Sequence, residues 1–301
     1  MLLFLCLFQG SGPVAGLVND GDRAHTLYTE MAGFPLETDR YGRLMAGVHV
    51  NGVGPFPFII DTGSSRSIIY RSLTTMMSLK AVPNKSRNII TANGYRLALI
   101  YPIKDIFALG HTLKLSETVA LPDIRGSVAK GLIGVDLLAG RTLVVRPESS
   151  LAALVDDVSS LDSAEWGYVQ GRPVAYGSLA LEVDIGGVMV PIIVDTGASD
   201  TVINTAGAET LLRSATGIRT EATTAVVARG ATRAKEKLLV PNFSLAGRGF
   251  ENTNIYVADV AVFRLLGARK VPAIILGMNV LDQQDFAIDF KAWRLYLRTK
   301  P

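Results

Sequence analysis

The sequence predicts an all-β protein built from two similar lobes that are related by a pseudo-twofold axis. The first observation is a short motif that occurs twice, in residues 58–65 and again in residues 192–199. In both copies an apolar run leads directly into Asp-Thr-Gly, a small residue and Ser, which places the aspartates at Asp61 and Asp195. A carboxyl group at the end of a buried strand costs free energy unless it is used or paired. Two such groups in matching contexts indicate a pair that meets in a cleft between the lobes.

The second observation is that other landmarks recur at similar distances from the two aspartates. A hairpin glycine follows the first aspartate by 33 positions (Gly94) and the second by 35 (Gly230). An apolar-apolar-Gly segment ends 73 positions after the first aspartate (Gly134) and 82 positions after the second (Gly277). An internal duplication is the simplest explanation, and two copies of one unit imply a pseudo-twofold axis.

The third observation is the composition. The 301 residues are 49% hydrophobic with a mean hydropathy of +0.30, which predicts well-buried sheets and argues against disorder. The net charge is only +3, and no dense run of Lys and Arg marks a nucleic-acid surface. We therefore expect no nucleic-acid partner.

Cysteine and histidine give no sign of a metal site. The single cysteine is Cys6, so no disulfide can form within the chain, and the three histidines lie far apart in sequence. No His-Glu-x-x-His, Cys-x-x-Cys or Gly-x-Ser-x-Gly pattern is present. We expect neither a metal nor another cofactor, and no serine nucleophile.

The N-terminus has the character of an export signal. Residues 1–8 are apolar and small residues follow them, although a basic segment before them is missing. We interpret residues 1–25 as a leader segment, which predicts an exported protein, periplasmic or secreted; the alternative is a buried N-terminal strand. Elsewhere no stretch reaches the ~18 apolar residues that a membrane helix needs, so we expect no stable membrane span.

The predicted N-terminal lobe, residues 26–147, consists of short strands joined by tight turns. Asn51-Gly52 and Asn93-Gly94 are typical of hairpin turns, and residues 72–79 predict a short helix. The extended segments are Phe34–Glu37, Arg43–Val50, Phe58–Ile60, Arg66–Tyr70, Arg87–Thr91, Tyr95–Ile100, Ile103–Leu109, Thr112–Leu115 and Thr142–Val145. The segment Gly131–Leu138, which contains the apolar-apolar-Gly landmark, lies between the last two.

Residues 148–170 break this pattern because they are mostly polar or small, with room for a helix, and they predict a linker. The strand pattern then repeats in the predicted C-terminal lobe, residues 171–301, with turns at Gly186-Gly187 and Arg229-Gly230. Its extended segments are Ser178–Ile185, Val190–Val194, Thr201–Asn204, Thr223–Ala228, Lys237–Val240 and Phe286–Leu297. The segment Ala273–Leu281 matches the apolar-apolar-Gly segment of the first lobe.

Two neighbouring carboxyl groups suit peptide hydrolysis without a metal, serine or cysteine. Like charges about 3 Å apart cannot both ionise, so one carboxyl stays protonated as the acid while the other acts as the base. The adjacent Gly63 and Gly197 allow a tight turn and a close approach of substrate or backbone. Thr62 and Thr196 can hydrogen-bond across the axis or to nearby backbone, which would fix the two loops against each other.

One position distinguishes the two copies of the motif. Ser64 carries a hydroxyl that could hold the carboxylate of its own loop, whereas the equivalent Ala198 cannot. We therefore expect the two aspartates to differ in protonation.

The doubled Asp-Thr-Gly motif, each copy followed by a hairpin and an apolar-apolar-Gly segment, resembles the retropepsin/pepsin superfamily of aspartic peptidases over roughly residues 34–300. The chain is most similar to bacterial single-chain forms with two tandem retropepsin-like domains. The resemblance implies that Asp61 and Asp195 are the catalytic dyad and that Thr62 and Thr196 form the interlocked hydrogen bonds called the fireman's grip. It implies that residues 132–134 and 275–277 pack beneath the active-site loops.

The resemblance also implies two substrate-covering hairpins, or flaps, at residues 91–95 and 228–231. The candidate substrate-binding residues in them are Ala92, Asn93, Gly94, Arg229 and Gly230. The chain departs from pepsin here, since its aromatic residue follows the glycine, and no flap-tyrosine role is carried over. A simple surface turn is the alternative for each hairpin.

The sequence thus predicts an aspartic endopeptidase that acts as a single chain, as a monomer, on peptide or protein substrates in extended conformation. The alternative is a non-catalytic peptide-binding module that retains the fold. A highly selective processing protease with one protein partner is a further possibility that the residues do not separate from a degradative enzyme.

Overall fold

The computed structural model describes residues 33–91, 94–156, 158, 161, 165–228 and 232–299 of the chain. Strands account for 49% of the structure and helices for 13%, which confirms the all-β prediction. No helix in these residues is long and apolar enough to cross a membrane. The leader segment, with Cys6, and the flap candidates Ala92, Asn93, Arg229 and Gly230 lie outside the described residues.

The N-terminal lobe contains twelve strands and two short helices in the described residues. They are β1 Phe34–Thr38, β2 Leu44–Val50, β3 Val53–Ile60, β4 Ile68–Tyr70, α1 Arg71–Met76, β5 Ser86–Thr91, β6 Gly94–Tyr101, β7 Asp105–Ala108, β8 His111–Lys114, β9 Thr118–Leu121, β10 Gly131–Ile133, α2 Val135–Leu138, β11 Thr142–Arg146 and β12 Leu151–Val155.

The C-terminal lobe repeats the pattern of short strands with three helices. They are β13 Trp166–Gln170, β14 Arg172–Pro173, β15 Leu179–Ile185, β16 Val188–Val194, β17 Val202–Ile203, α3 Thr205–Ser214, β18 Arg219–Ala222, β19 Val226–Ala228, β20 Thr232–Arg233, β21 Glu236–Leu245, β22 Arg248–Val257, α4 Ala261–Leu265, β23 Ile274–Leu276, α5 Met278–Leu281, β24 Phe286–Asp289 and β25 Arg294–Arg298.

The two lobes share one pairing scheme around the strands that carry the aspartates. Strand β3 pairs antiparallel with β2 and parallel with β10, and β10 also pairs antiparallel with β4. Strand β16 has the same relations to β15 and β23, and β23 pairs antiparallel with β17. This common topology is the structural counterpart of the repeated landmarks, and it confirms two similar β lobes.

The strands that lead into the aspartates are apolar because both of their faces are covered. Residues 58–60 of β3 are buried, and so are residues 192–194 of β16. Parallel pairing to β10 and β23 places each strand inside its lobe, where a continuous apolar run is favoured over alternation. Each aspartate therefore directly follows the buried end of its strand.

The predicted hairpin turns at Asn51-Gly52 and Gly186-Gly187 are present. All four residues have positive φ, at 51°, 77°, 62° and 88° respectively, as tight two-residue hairpin turns require. Helix α1 lies within the predicted 72–79 helix apart from its first residue. The long hairpin of β21 and β22, which turns at Ala246-Gly247, extends well beyond the strand predicted at residues 237–240.

The predicted break in the strand pattern at residues 148–170 is wrong. Strand β12 pairs with β11 along five residues and with β1, and β13 pairs with β25. Strand β11 also pairs antiparallel with β24, so a single sheet carries strands from both halves of the chain. The lobe boundaries themselves stay a prediction, but residues 151–155 and 166–170 of the segment between them are strands.

Candidate active site

The two Asp-Thr-Gly loops face each other between the lobes. Each begins where its strand ends: Asp61 N donates to Ile133 O at 2.9 Å, and Asp195 N donates to Leu276 O at 3.0 Å. Both aspartates are only 1% exposed. The apolar-apolar-Gly segments thus lie directly beside the loops, in the position that the resemblance implies.

The carboxyl groups lie against the opposite loop. A methyl group added at Gly63 would lie 2.6 Å from Cγ of Asp195, and one added at Gly197 would lie 2.4 Å from Cγ of Asp61. Carbon atoms without a bond between them stay about 3.5 Å apart or more. Only glycine at these two positions therefore lets the loops approach so closely that the carboxyl group of each loop lies against the backbone of the opposite loop.

Each carboxyl group also accepts a hydrogen bond from its own loop. Asp61 Oδ1 accepts from Gly63 N at 3.0 Å, and Asp195 Oδ1 accepts from Gly197 N at 2.8 Å. Asp61 Oδ2 is buried and accepts no hydrogen bond in the described part of the chain. The arrangement is nearly symmetric and leaves carboxyl oxygen atoms available for chemistry.

Thr62 and Thr196 interlock the loops with four hydrogen bonds. Thr62 N donates to Thr196 Oγ1 at 3.2 Å, and Thr196 N donates to Thr62 Oγ1 at 3.0 Å. In turn Thr62 Oγ1 donates to Val194 O at 3.1 Å, and Thr196 Oγ1 donates to Ile60 O at 2.7 Å. Each threonine thereby reaches the strand end of the other lobe, which is the geometry of the implied grip.

Burial and mutual repulsion favour protonation of the pair. Burial raises the pKa of Asp61 well above its usual range, and the charge of Asp195 adds to this effect. Burial also raises the pKa of Asp195 to about 6, against the opposing N–H groups of Gly197, Gly63 and Ala198 and a hydrogen bond from Asp61. Because the two groups are coupled, the protons belong to the pair, and the pair retains one proton at mildly acidic pH.

The expected role of Ser64 is wrong. Its Oγ donates to Arg66 O at 2.9 Å, so the hydroxyl closes the turn after the motif and does not hold the carboxylate. Ser64 and Ala198 nevertheless occupy equivalent, fully buried places beside the aspartates. Their backbone oxygen atoms accept equivalent hydrogen bonds at 2.8 Å, from Val135 N and Met278 N. Any difference between the two aspartates must have another source.

A second pair of equivalent residues, Asp136 and Asn279, supports the loops from below and was not foreseen. Asp136 Oδ1 accepts from Ser67 N at 2.8 Å and Ser67 Oγ at 2.7 Å, and Asn279 Oδ1 accepts from Thr201 N and Oγ1, both at 2.7 Å. The Ser67 hydroxyl then accepts from Gly134 N at 3.0 Å, and the Thr201 hydroxyl accepts from Gly277 N at 3.1 Å. These glycines end the two apolar-apolar-Gly segments. The signal was available, since both residues stand two positions after those glycines.

The hairpins expected to act as flaps flank the site. Strands β5 and β6 form the first, and Thr91 Oγ1 donates to Gly94 O across its end at 3.0 Å. Strands β19 and β20 form the second. Ile90 of the first hairpin and Val227 of the second belong to the same buried apolar cluster as Ala198, beside Asp195. The substrate-binding role of the flap residues stays a prediction.

The described residues contain no cluster of three His, Cys, Asp or Glu side chains that could hold a metal ion. What the site offers is a coupled carboxyl pair, held by backbone N–H groups and by the threonine grip. This equipment suits proton transfer to and from a reactant between the two carboxyl groups.

Comparison with known proteins agrees with this geometry. A family model described as "Aspartyl protease" matches the chain twice, over residues 46–137 and 181–280, which together make up more than half of its length. Each match contains one Asp-Thr-Gly loop and the supporting segment beneath it. None of the curated proteins matches the chain. The chain therefore belongs to the aspartyl protease family, with two tandem retropepsin-like domains.

Proposed function

We propose that the protein is an aspartic endopeptidase that hydrolyses peptide bonds with a water molecule activated between Asp61 and Asp195. The observation that carries this proposal is the reciprocal placement of the two carboxyl groups, each lying against the glycine of the opposite loop. A role confined to the fold would not call for two buried carboxyl groups side by side, since their mutual repulsion opposes folding at neutral pH.

The reaction needs one proton on the pair and one negative charge. The charged carboxylate takes a proton from the water, whose oxygen attacks the peptide carbonyl carbon, while the protonated carboxyl gives its proton to the carbonyl oxygen. A tetrahedral diol results. Its collapse breaks the C–N bond, the amine leaves with a proton, and the pair returns to its single-proton state. The raised pKa values of Asp61 and Asp195 favour this state at mildly acidic pH.

The surroundings of the pair support the chemistry by fixing its geometry. The four hydrogen bonds of Thr62 and Thr196 and the N–H groups of Gly63 and Gly197 hold both carboxyl groups before substrate arrives. Such pre-organisation removes the need to reorder the groups during the reaction.

The substrate we propose is a peptide or protein segment in extended conformation, bound between the dyad and the two hairpins. One chain supplies both aspartates, so a monomer suffices for activity. The apolar N-terminal segment is the basis for proposing that the enzyme works outside the cytoplasm, in the periplasm or after secretion.

The test is hydrolysis of an unstructured protein across pH 3–8 by the wild type, Asp61→Asn and Asp195→Asn. Each substitution keeps the side-chain shape and removes the shared acid, and we expect kcat to fall by about 10³-fold or more. Glu182→Gln, which neutralises an exposed carboxylate on β15, is the matched control and should retain full activity. Activity that survives either dyad substitution would contradict the mechanism.

The non-catalytic peptide-binding module remains the second candidate. A statine-type mimic of the tetrahedral intermediate separates the two readings, because an enzyme binds it far more tightly than the corresponding substrate peptide. A wild-type protein that binds the peptide and the mimic equally and cleaves neither would favour the binding module. Cleavage of one native protein but not of unstructured chains would instead identify a selective processing protease.

A further inference from the structure

On its antiparallel side, the strand register gives each aspartate of the proposed dyad a cross-strand neighbour. In β2 and β3, Ala46 lies opposite Phe58 and Met45 lies opposite Ile59. Continued past the ends of the two strands, the same register brings Arg43 to the position opposite Asp61. The charge of Arg43 acts on Asp61 and opposes the effect of burial.

The same construction in the C-terminal lobe gives a different neighbour. Ala180 lies opposite Ile193, and two further steps in that register place Ser178 opposite Asp195. The two aspartates thus have equivalent partner positions, filled by a cation in one lobe and by a neutral hydroxyl in the other. This is the asymmetry between the lobes that Ser64 and Ala198 do not provide.

Arg43 is buried together with its counter-ion. It is 1% exposed, and its Nε donates to Asp39 Oδ2 at 3.0 Å while its Nη2 contacts the same oxygen. Arg43 N also donates to Asp39 Oδ1, at 3.1 Å. The guanidinium carbon of Arg43 lies over the ring of Tyr41, 5.3 Å from the ring centroid. The charge is therefore held away from solvent, in surroundings that screen it poorly.

Fold stability does not account for this ion pair. A buried ion pair is often no more stabilising than apolar residues of the same volume, because both charges lose their hydration. The C-terminal lobe forms the same strand pairing with Ser178, whose buried hydroxyl has no hydrogen-bond partner within the described residues. A charge that the fold does not require, placed opposite a catalytic carboxyl, points to a role at that carboxyl.

The charged groups around Asp61 together determine how strongly its carboxyl group holds a proton. Asp195 faces it from the second loop, and Arg43 with Asp39 faces it from the turn between β1 and β2. Asp136 lies beyond Ser67, with Arg66 acting on it. Arg43 is the cation that acts on Asp61, and it opposes the effect of burial on the Asp61 pKa. The negative charge of Asp39, which is paired with the guanidinium, weakens the electrostatic effect of Arg43 on Asp61.

We propose that Arg43 is a positioning residue that stabilises the singly ionised form of the Asp61–Asp195 pair and that Asp39 limits this effect. The ion pair then sets the pH at which the pair takes up its second proton and loses its base. The consequence for catalysis rests on the proposed function, whereas the electrostatic effect on the two carboxyl groups does not.

The sign of the effect distinguishes this role from a structural one. Removing the cation with Arg43→Met disfavours the negative charge, so the second proton binds at higher pH. Removing the anion with Asp39→Asn leaves the cation unopposed, so the second proton binds at lower pH. We expect shifts of about half a pH unit to one pH unit in opposite directions. Arg43→Lys keeps the charge and should stay near the wild-type value.

The experiment is a titration of carboxyl carbon signals by NMR in protein labelled at aspartate Cγ. Spectra of Asp61→Asn and Asp195→Asn assign the two signals. Ser178→Ala is the matched control in the other lobe and should not move the titration. The pH dependence of kcat/KM on an unstructured protein is measured on the same variants, and its acid limb should move with the NMR midpoints.

An uncompensated buried charge can prevent folding, so the double variant Arg43→Met with Asp39→Asn is included. It removes both charges, and because the charge of Arg43 lowers the pKa of Asp61, its midpoint should still lie above that of the wild type. An unchanged midpoint in the double variant, or single-variant shifts in the same direction, would overturn the inference. NMR shifts of the expected sign in a protein that cleaves no substrate would leave the inference standing and refute the proposed function.

Discussion

Thr62 and Thr196 exchange hydrogen bonds across the boundary between the lobes, each backbone N–H donating to the other hydroxyl, at 3.2 and 3.0 Å. Thr62→Val keeps the side-chain shape but removes this hydroxyl. It leaves Thr196 N and Val194 O buried without their partners. We expect the free energy of unfolding to fall by about 2–4 kcal/mol, measured by urea denaturation.

Thr62→Ser is the conservative control, because it keeps the hydroxyl and should recover most of the stability. Thr220→Val, on an exposed strand of the C-terminal lobe, tests the effect of the substitution itself and should change stability little. Equal stability of the wild type and Thr62→Val would mean that the grip contributes nothing to the folded state.

The close approach of Gly197 to Asp61 gives a second prediction. In Gly197→Ala the new methyl group would lie 2.4 Å from Cγ of Asp61, so the carboxyl group or the loop must move. A displacement of about 1 Å in a catalytic group can cost about 100-fold in rate, and we expect kcat to fall by at least that factor.

Gly249→Ala is the matched control, since a methyl group there meets no atom within 4 Å. It should leave the rate of peptide hydrolysis unchanged. Full activity of Gly197→Ala would show that the carboxyl group does not need its observed position.

Much of the fold and the heart of the site follow from local sequence signals. The apolar runs before Asp61 and Asp195 mark strands that are buried on both faces, and the Asn-Gly and Gly-Gly pairs mark turns that need positive φ. Repetition of the motif added what a single copy could not give, namely that two distant aspartates occupy equivalent places. The threonine grip was implied by the resemblance to aspartic peptidases.

The features that were missed depend on partners distant in the chain. Leu151–Val155 has no strong strand signal of its own, and it forms a strand because it pairs antiparallel with β1 on one side and β11 on the other. The hydroxyl of Ser64 could reach a carboxylate or a backbone oxygen, and only the folded loop selects Arg66 O. The burial of Arg43 beside Asp39 likewise depends on how the turn between β1 and β2 packs.

The residue that supports the active-site loop from below is an acid, Asp136, in the N-terminal lobe and an amide, Asn279, in the C-terminal lobe. Burial raises the pKa of Asp136, although bonds from Ser67 oppose this. The folded state therefore holds the Asp136 proton more tightly than the unfolded state, and this residue's contribution to stability declines as pH rises above about 4. We expect Asp136→Asn to have a higher unfolding free energy than the wild type at pH 7, with the difference shrinking towards pH 4.

The reverse substitution supplies the control. Asn279→Asp adds a partly buried carboxyl group and removes the 3.2 Å hydrogen bond that Asn279 Nδ2 donates to Asn254 O. We expect a loss of about 1–3 kcal/mol at pH 7, measured by denaturant titration. A destabilised Asp136→Asn at pH 7 would show that the ionised carboxylate is the form the fold requires.

We expect the Asp61–Asp195 pair to lower the free energy of unfolding as pH rises, and substitution of Asp195 tests this directly. Burial raises the pKa of Asp195 to about 6, whereas an aspartate in an unfolded chain titrates near about 3.9. Between these values the folded state binds the proton and the unfolded state does not, so stability is lost as pH rises through this range. Asp195→Asn removes that titration while its side-chain oxygen can still accept from Gly197 N.

Asp195→Asn should therefore be more stable than the wild type at pH 7, by about 2–3 kcal/mol, and equal to it below about pH 4. Urea denaturation at half-unit intervals between pH 3.5 and 8 measures the difference. Glu182→Gln, the exposed control, should follow the wild-type curve throughout. A gain in stability together with a loss of activity would support the proposed catalytic role of the Asp61–Asp195 pair. Parallel losses of both would show that the fold depends on the ionised carboxylate.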